Sequence, residues 1–198
     1  MHDEHSPVPA LAPTTARLLR SVCWGLDNGL GARDIVPMLR KLAASVTPGS
    51  EVWLFATRAL AEELLAVDPW RAALTARALL AHGETDAAHA LLGLAHARLG
   101  HIRAAVRAFR KALLLNPECA SYAHNLGHLL DAGLGRPRDA LSYLARARRA
   151  LDDPEVAASY AHALLRSGDT ERARSVLEAH HDQERVQELL ARWSGPSG

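Results

Sequence analysis

The sequence is short of aromatic residues, at 5%, and of cysteine, with two in 198 residues. Scarce aromatic and β-branched side chains disfavour a sheet protein. Cys23 and Cys119 lie far apart, and neither belongs to a Cys-x-x-Cys pair or a zinc-finger spacing, which excludes a disulfide scaffold and a thiolate zinc centre. Charge of one sign is also missing: 23 Lys and Arg face 22 Asp and Glu, a formal net charge of +1. No global field draws this chain to nucleic acid or to an anionic membrane. No apolar run approaches the roughly 18 to 20 uncharged residues that span a bilayer. The start, Met1-His2-Asp3-Glu4, is acidic where a secretory signal is basic and then apolar, so the expected location is the cytoplasm.

What is present is aliphatic. Hydrophobic residues make up 48% of the chain, mostly Ala and Leu, the strongest helix formers. Helix stops and starts recur at short intervals: Pro48-Gly49-Ser50, Asp68-Pro69, Gly83 with Thr85, Gly100, Asn116-Pro117, Gly133 with Gly135 and Pro137, Asp153-Pro154 and Gly168-Asp169. The spacing predicts helices over about 14–27, 36–46, 50–67, 69–82, 85–99, 101–115, 118–133, 137–151, 154–167, 170–180 and 182–193. Pro37 is read as starting its helix, because an interior proline loses a hydrogen bond and clashes with the preceding turn. Residues 1–13 read as a flexible tail.

Uniform helices joined by tight turns form either a bundle or a stack of pairs, and repetition at a fixed period decides between them. Counting from Asp86, Leu92-Gly93, the Gly100 turn, Ala105, Phe109, Ala112 and Pro117 fall at the spacing of a 34-residue helix-turn-helix unit. Here the chain resembles a tetratricopeptide repeat. A second unit, 120–153, carries Leu126-Gly127, Ala140, Leu144 and Ala147, with one extra residue in the Gly133-Leu134-Gly135 turn. A third, 154–180, carries Tyr160-Ala161, Gly168, Ala173 and Leu177. The pair at 50–82 has the right size and almost no consensus residues.

The resemblance implies an all-α, right-handed α-solenoid of about eleven helices: one domain over 14–198, with 14–46 and 182–193 capping the stack. It also implies a concave face lined by recurring first-helix positions. Those are Ala90, Leu94, Ala97 and Arg98, then Ser121, His124, His128 and Asp131, then Ala158, His162, Leu165 and Arg166. Their mixed polarity suits a peptide or helix segment of another protein. Relatives that bind acidic chaperone tails use a Lys/Asn/Arg clamp. The matching places here hold Ala90 and Leu94, then Asn125, then Glu155 and Ser159, and only Asn125 fits.

No phosphate loop, dinucleotide fingerprint, H-E-x-x-H or G-x-S-x-G motif occurs. His124 and His128, one helical turn apart, could chelate a metal if a third ligand converged. The preferred reading is polar lining of the groove, with no metal, cofactor or catalytic residue. Clustered imidazoles would also let an acidic peptide bind better at pH 6 than at pH 8, since imidazole charges near pH ~6.5. Arg103, Arg107, Arg110 and Lys111, with Arg138, Arg146 and Arg149, read as solvated outer helix faces, not a nucleic-acid stripe, because no stacking aromatics are interleaved. Trp53 and Trp70 read as core or end-packing residues, whereas an exposed Trp24 or Trp193 would be an anchor for a partner. The expected function is that of an interaction adaptor that leaves self-association open. A secretion-type chaperone shielding an export substrate is the alternative.

Overall fold

The computed structural model describes residues 11–83, 85–179, 188, 191 and 192. The described residues form ten α-helices and one π-helical turn and contain no strand. Packing divides the chain into two compact units, Met1–Gly83 and Glu84–Gly198, where the sequence led to a single domain over 14–198. The boundary falls between the degenerate pair and the first clear repeat.

Unit 1 contains α1 (Pro13–Asp27), α2 (Ala32–Ala44), α3 (Glu51–Val67) and α4 (Pro69–His82). Their starts follow local chemistry. Pro13 and Pro69 occupy first-turn positions where the missing N–H costs nothing. The Ser50 hydroxyl accepts from Trp53 N, and the Asp68 carboxylate accepts from Arg71 N. One expectation fails in α2. The helix starts at Ala32, four residues before the expected start, so Pro37 lies inside it. Its ring leaves the Arg33 carbonyl without an intrahelical donor, and because Arg33 and Pro37 are at least partly exposed, water can satisfy that oxygen. The inner side of α2, Ile35, Leu39 and Leu42, is fully buried and outweighs the lost bond.

Unit 2 contains α5 (Asp86–Arg98), α6 (Ile102–Leu115), α7 (Ala120–His128), a π-turn (Leu129–Gly133), α8 (Pro137–Ala150), α9 (Pro154–Arg166) and α10 (Thr170–Glu178). Each helix packs on the next, and α7 also meets α9. This is the stacking of helix pairs in an α-solenoid. One core runs through the unit, from Ala105 and Phe109 through Leu126, Leu130 and Leu144 to Leu164 and Leu177. Close approach within the α5/α6 and α7/α8 pairs depends on glycine. A Cβ added to Gly93 would lie 2.8 Å from the Phe109 ring, and one added to Gly127 would lie 2.5 Å from Leu144 Cγ. Phe109 also contacts Tyr122 of the next pair, with ring centroids 6.5 Å apart.

Two details of unit 2 correct the sequence reading. Pro117 does not open the following helix, since α7 begins at Ala120 with Cys119 as its N-cap. The extra residue of the second repeat is also taken up inside the helix expected over 118–133. The chain widens at Leu129–Gly133, and Leu134 N bonds to the Leu129 carbonyl five residues back, at 3.0 Å. The expected helix 182–193, the C-terminal cap, lies almost entirely outside the described residues, as do Trp193 and the first ten residues of the expected tail.

Candidate functional site

The residues proposed to line the groove sit on α5, α7 with its π-turn, and α9, and the structure brings some of them together. Asp131 is the centre. The π-turn places it on the side of α9, where it is only 2% exposed. Burying a lone carboxylate is costly unless its charge is paired and its oxygens are bonded. Both oxygens are bonded here. Arg166 Nη1 donates to Asp131 Oδ1 at 2.8 Å and to the Asp131 carbonyl at 2.7 Å. His162 Nδ1 lies 2.6 Å from Oδ2, and since a carboxylate only accepts, Nδ1 carries the proton. One aspartate thus fixes the tautomer and orientation of an imidazole and the direction of a guanidinium, joining the first helices of adjacent repeats.

A second link lies toward the start of α7, where His124 Nε2 sits 3.0 Å from Ser159 Oγ. Burial lowers the pKa of His124 below its ordinary value of 6.5, and the neighbouring His128 adds to the effect against the opposing pull of Asp153 and Glu155. His124 therefore resists the proton that an acid-responsive groove would require of it. His128 is exposed, its ring 6.4 Å from that of His124. Between the two first helices lies a cleft of about 230 Å³ lined by His128, Asp131, Ala132, Ala158, Ser159 and His162. That volume holds one or two side chains and is too small for a typical cofactor.

The remaining candidates are arranged differently. Ala90 is part of the core at 6% exposed and offers no surface to a ligand. Leu94, Ala97 and Leu165 are half-buried against the same core. Arg98 and Ser121 are both exposed, and neither lines the cleft. Ser159 and Ala132 are cleft residues the site reading missed. Ser159 had a signal, because it falls one repeat beyond Asn125, whereas Ala132 is carried there by the π-turn. Among the described residues no three His, Cys, Asp or Glu side chains are placed to hold a metal.

The outer faces follow the sequence reading with one exception. Arg103, Arg107, Arg110, Lys111 and Arg149 are exposed and Arg138 at least partly so, but Arg146 Nε and Nη2 are buried with no hydrogen-bond partner among the described residues. In unit 1, Trp53 stacks at a tilt on His82, with centroids 4.5 Å apart, as an end-packing residue should. Trp70, expected to do the same, is 59% exposed.

With this geometry in hand, comparison with known proteins is specific in one stretch. The family model for the tetratricopeptide repeat matches residues 86–119. That segment is a tetratricopeptide repeat. The whole chain has the fold of tetratricopeptide-repeat proteins. It superposes on the crystal structure of MamA with a TM-score of 0.69 at 16% identity, covering 93% of this chain and 98% of that one. A thermophilic tetratricopeptide-repeat protein of Thermus thermophilus gives a TM-score of 0.65 at 18% identity, covering 91% and 97%. At such identities the likeness concerns the fold alone. No curated protein sequence matches the chain. None of the described helices is long and apolar enough to cross a membrane.

Proposed function

We propose that this protein is a protein-interaction adaptor in which unit 2 holds a segment of another protein along α5, α7 and α9. The repeat fold supports the reading, since stacked helix pairs present a continuous face of first helices and are typical of interaction scaffolds. The observation that carries it is the Asp131 node. Buried polar networks that are fully satisfied hold side chains in one arrangement. Asp131 uses both oxygens, one on Arg166 and one on His162, and so holds His162 on one side of a cleft that His128 borders on the other. Such a preorganised border lowers the ordering cost of gripping a peptide side chain. Half-buried Leu94 and Ala97 and exposed Arg98 extend the same line of positions toward the first repeat.

On this reading the protein needs no cofactor, no resident metal and no catalytic residue, and it works in the cytoplasm. The Ser159–His124 pair serves to tie two helices together. Selection of binders from a random peptide library displayed on phage, using the full chain as bait, tests the proposal. The selected peptides should lose at least about tenfold in affinity on Leu94→Glu and on His128→Ala, the loss expected when an interface hot spot is removed. Unchanged affinity in both variants, with folding intact by circular dichroism, would assign recognition to another surface.

A further inference from the structure

Unit 1 carries a surface that the groove reading does not use. Arg17, Arg20, Ser21 and Trp24 follow each other at helical spacing on one face of α1, away from the buried Thr15 and Val22. Trp24 is 63% exposed, the condition under which a tryptophan becomes an anchor for a partner. It does not stand alone. Together with Leu30 from the α1–α2 turn and Met38 of α2, both half-buried, these four residues line an open cleft of about 570 Å³. Three apolar side chains and two guanidinium groups line the space, and none of the lining residues is acidic. Neither Arg17 nor Arg20 forms an ion pair among the described residues.

We infer that this cleft is a docking site for a partner-protein segment in which a large apolar side chain is flanked by Asp or Glu. The apolar side chain enters between Trp24, Leu30 and Met38, and the flanking carboxylates meet Arg17 and Arg20, as guanidinium forks suit carboxylates. Two other occupants fit the charges less well. A second copy docking through the same face would set cation against cation across a two-fold axis, which disfavours the pairing. An anionic membrane gains only about 1 kcal/mol per basic residue at its surface, and two arginines fall short of the clusters of roughly four to eight that hold a protein there. The inference stands apart from the groove in unit 2.

The test uses the full-length chain and a fluorescein-labelled peptide of roughly ten residues with a central Leu-Phe flanked by Glu, the extended length that a single cleft engages. A counterpart carries Lys in place of Glu. Fluorescence anisotropy should show the acidic peptide binding, weakening as salt is raised from about 0.05 to 0.3 M, while the Lys peptide stays unbound. Trp24→Ala and Arg20→Glu should each weaken binding at least about tenfold, whereas His128→Ala in unit 2 should leave it unchanged. Trp24 and Arg20 are exposed, so both variants keep the fold, and circular dichroism checks this. Equal binding of the two peptides, or no binding of either, overturns the inference. So does sensitivity to His128→Ala without sensitivity to Trp24→Ala. Capture by phosphatidylserine-containing vesicles, or a dimer in sedimentation, that Trp24→Ala abolishes would reassign the cleft to membrane or self-association and also overturn it.

Discussion

Helix pairs α3/α4 and α5/α6 are similar in length yet achieve close packing by different means. In α3/α4 the buried sides are rich in alanine, with Ala56, Ala59 and Ala61 on one helix and Ala72, Ala73 and Ala76 on the other. Small side chains on both helices let the backbones approach without a glycine or an aromatic plug. In α5/α6 the approach is concentrated at one place, where Gly93 leaves room for the Phe109 ring, and the same ring reaches Tyr122 of the next pair. The lesson is that the repeat consensus is not needed to make a helical hairpin. In α5/α6 it does a second task, filling the gap to the next hairpin through Phe109. Consistent with this, α3/α4 leaves Phe55, Trp70 and Leu74 exposed, while Phe109 is buried to 1%.

The sharpest way to break that comparison is to truncate one large aromatic in each pair. Phe109→Ala should cost about 3–5 kcal/mol, the range for emptying a packed aromatic site. Trp70→Ala should stay within about 0.5 kcal/mol, as exposed substitutions do. Urea unfolding followed by circular dichroism measures both, and equal costs would mean that the two pairs are stabilised alike. Next comes Gly93→Ala, whose added methyl would press on a buried ring 2.8 Å away. Overpacking of this kind costs about 1–3 kcal/mol. Phe109→Leu in the same chain should recover part of that loss, whereas purely additive costs would show that the glycine is not there for the ring. Asp131→Ala should cost about 1–2 kcal/mol, in the lower part of the range for leaving buried partners unsatisfied, because Arg166 and His162 can still reach water. The groove peptides should weaken with it. Intact affinity in that variant would show that the node holds repeats together without shaping recognition.

How much of this was legible in the sequence follows the same divide. Residues 86–119 were readable because each consensus type has one mechanical task, and Gly93, Ala105 and Phe109 perform theirs in the structure. Helix starts at Pro69 and Pro154 were readable because Asp68 and Asp153 cap backbone N–H groups locally. Pro37 misled because a local rule was outvoted by Ile35, Leu39 and Leu42 packing from the far side of the same helix. The extra residue in the second repeat was countable, but not its placement, since a loop and a widened helical turn absorb one residue equally well. That placement decides whether Asp131 faces solvent or the core. Ala90 misled for a related reason: a position can recur on a groove in the family pattern and still be covered by its own neighbours.

The smallest expected effect, and the one most particular to the groove, is a dependence of unit 2 stability on pH through His124. Its folded-state pKa lies below 6.5, chiefly through burial and then through the charge of His128. The unfolded chain therefore takes up the proton first as pH falls. Stability from this group is complete above the unfolded value and declines as pH drops through it toward the depressed folded value. The groups around His124 from the packed elements are His128 on α7, Ser159 on α9, and Asp153 and Glu155 at the start of α9. The two carboxylates moderate the effect without reversing it. Urea midpoints should fall between about pH 7.5 and 5.5, and His124→Gln, which keeps a hydrogen-bonding group toward Ser159 but cannot titrate, should flatten that fall. An unchanged slope would place the pH response on other histidines. A steeper one would mean that Asp153 and Glu155 outweigh burial, so that protonated His124 ties α7 to α9.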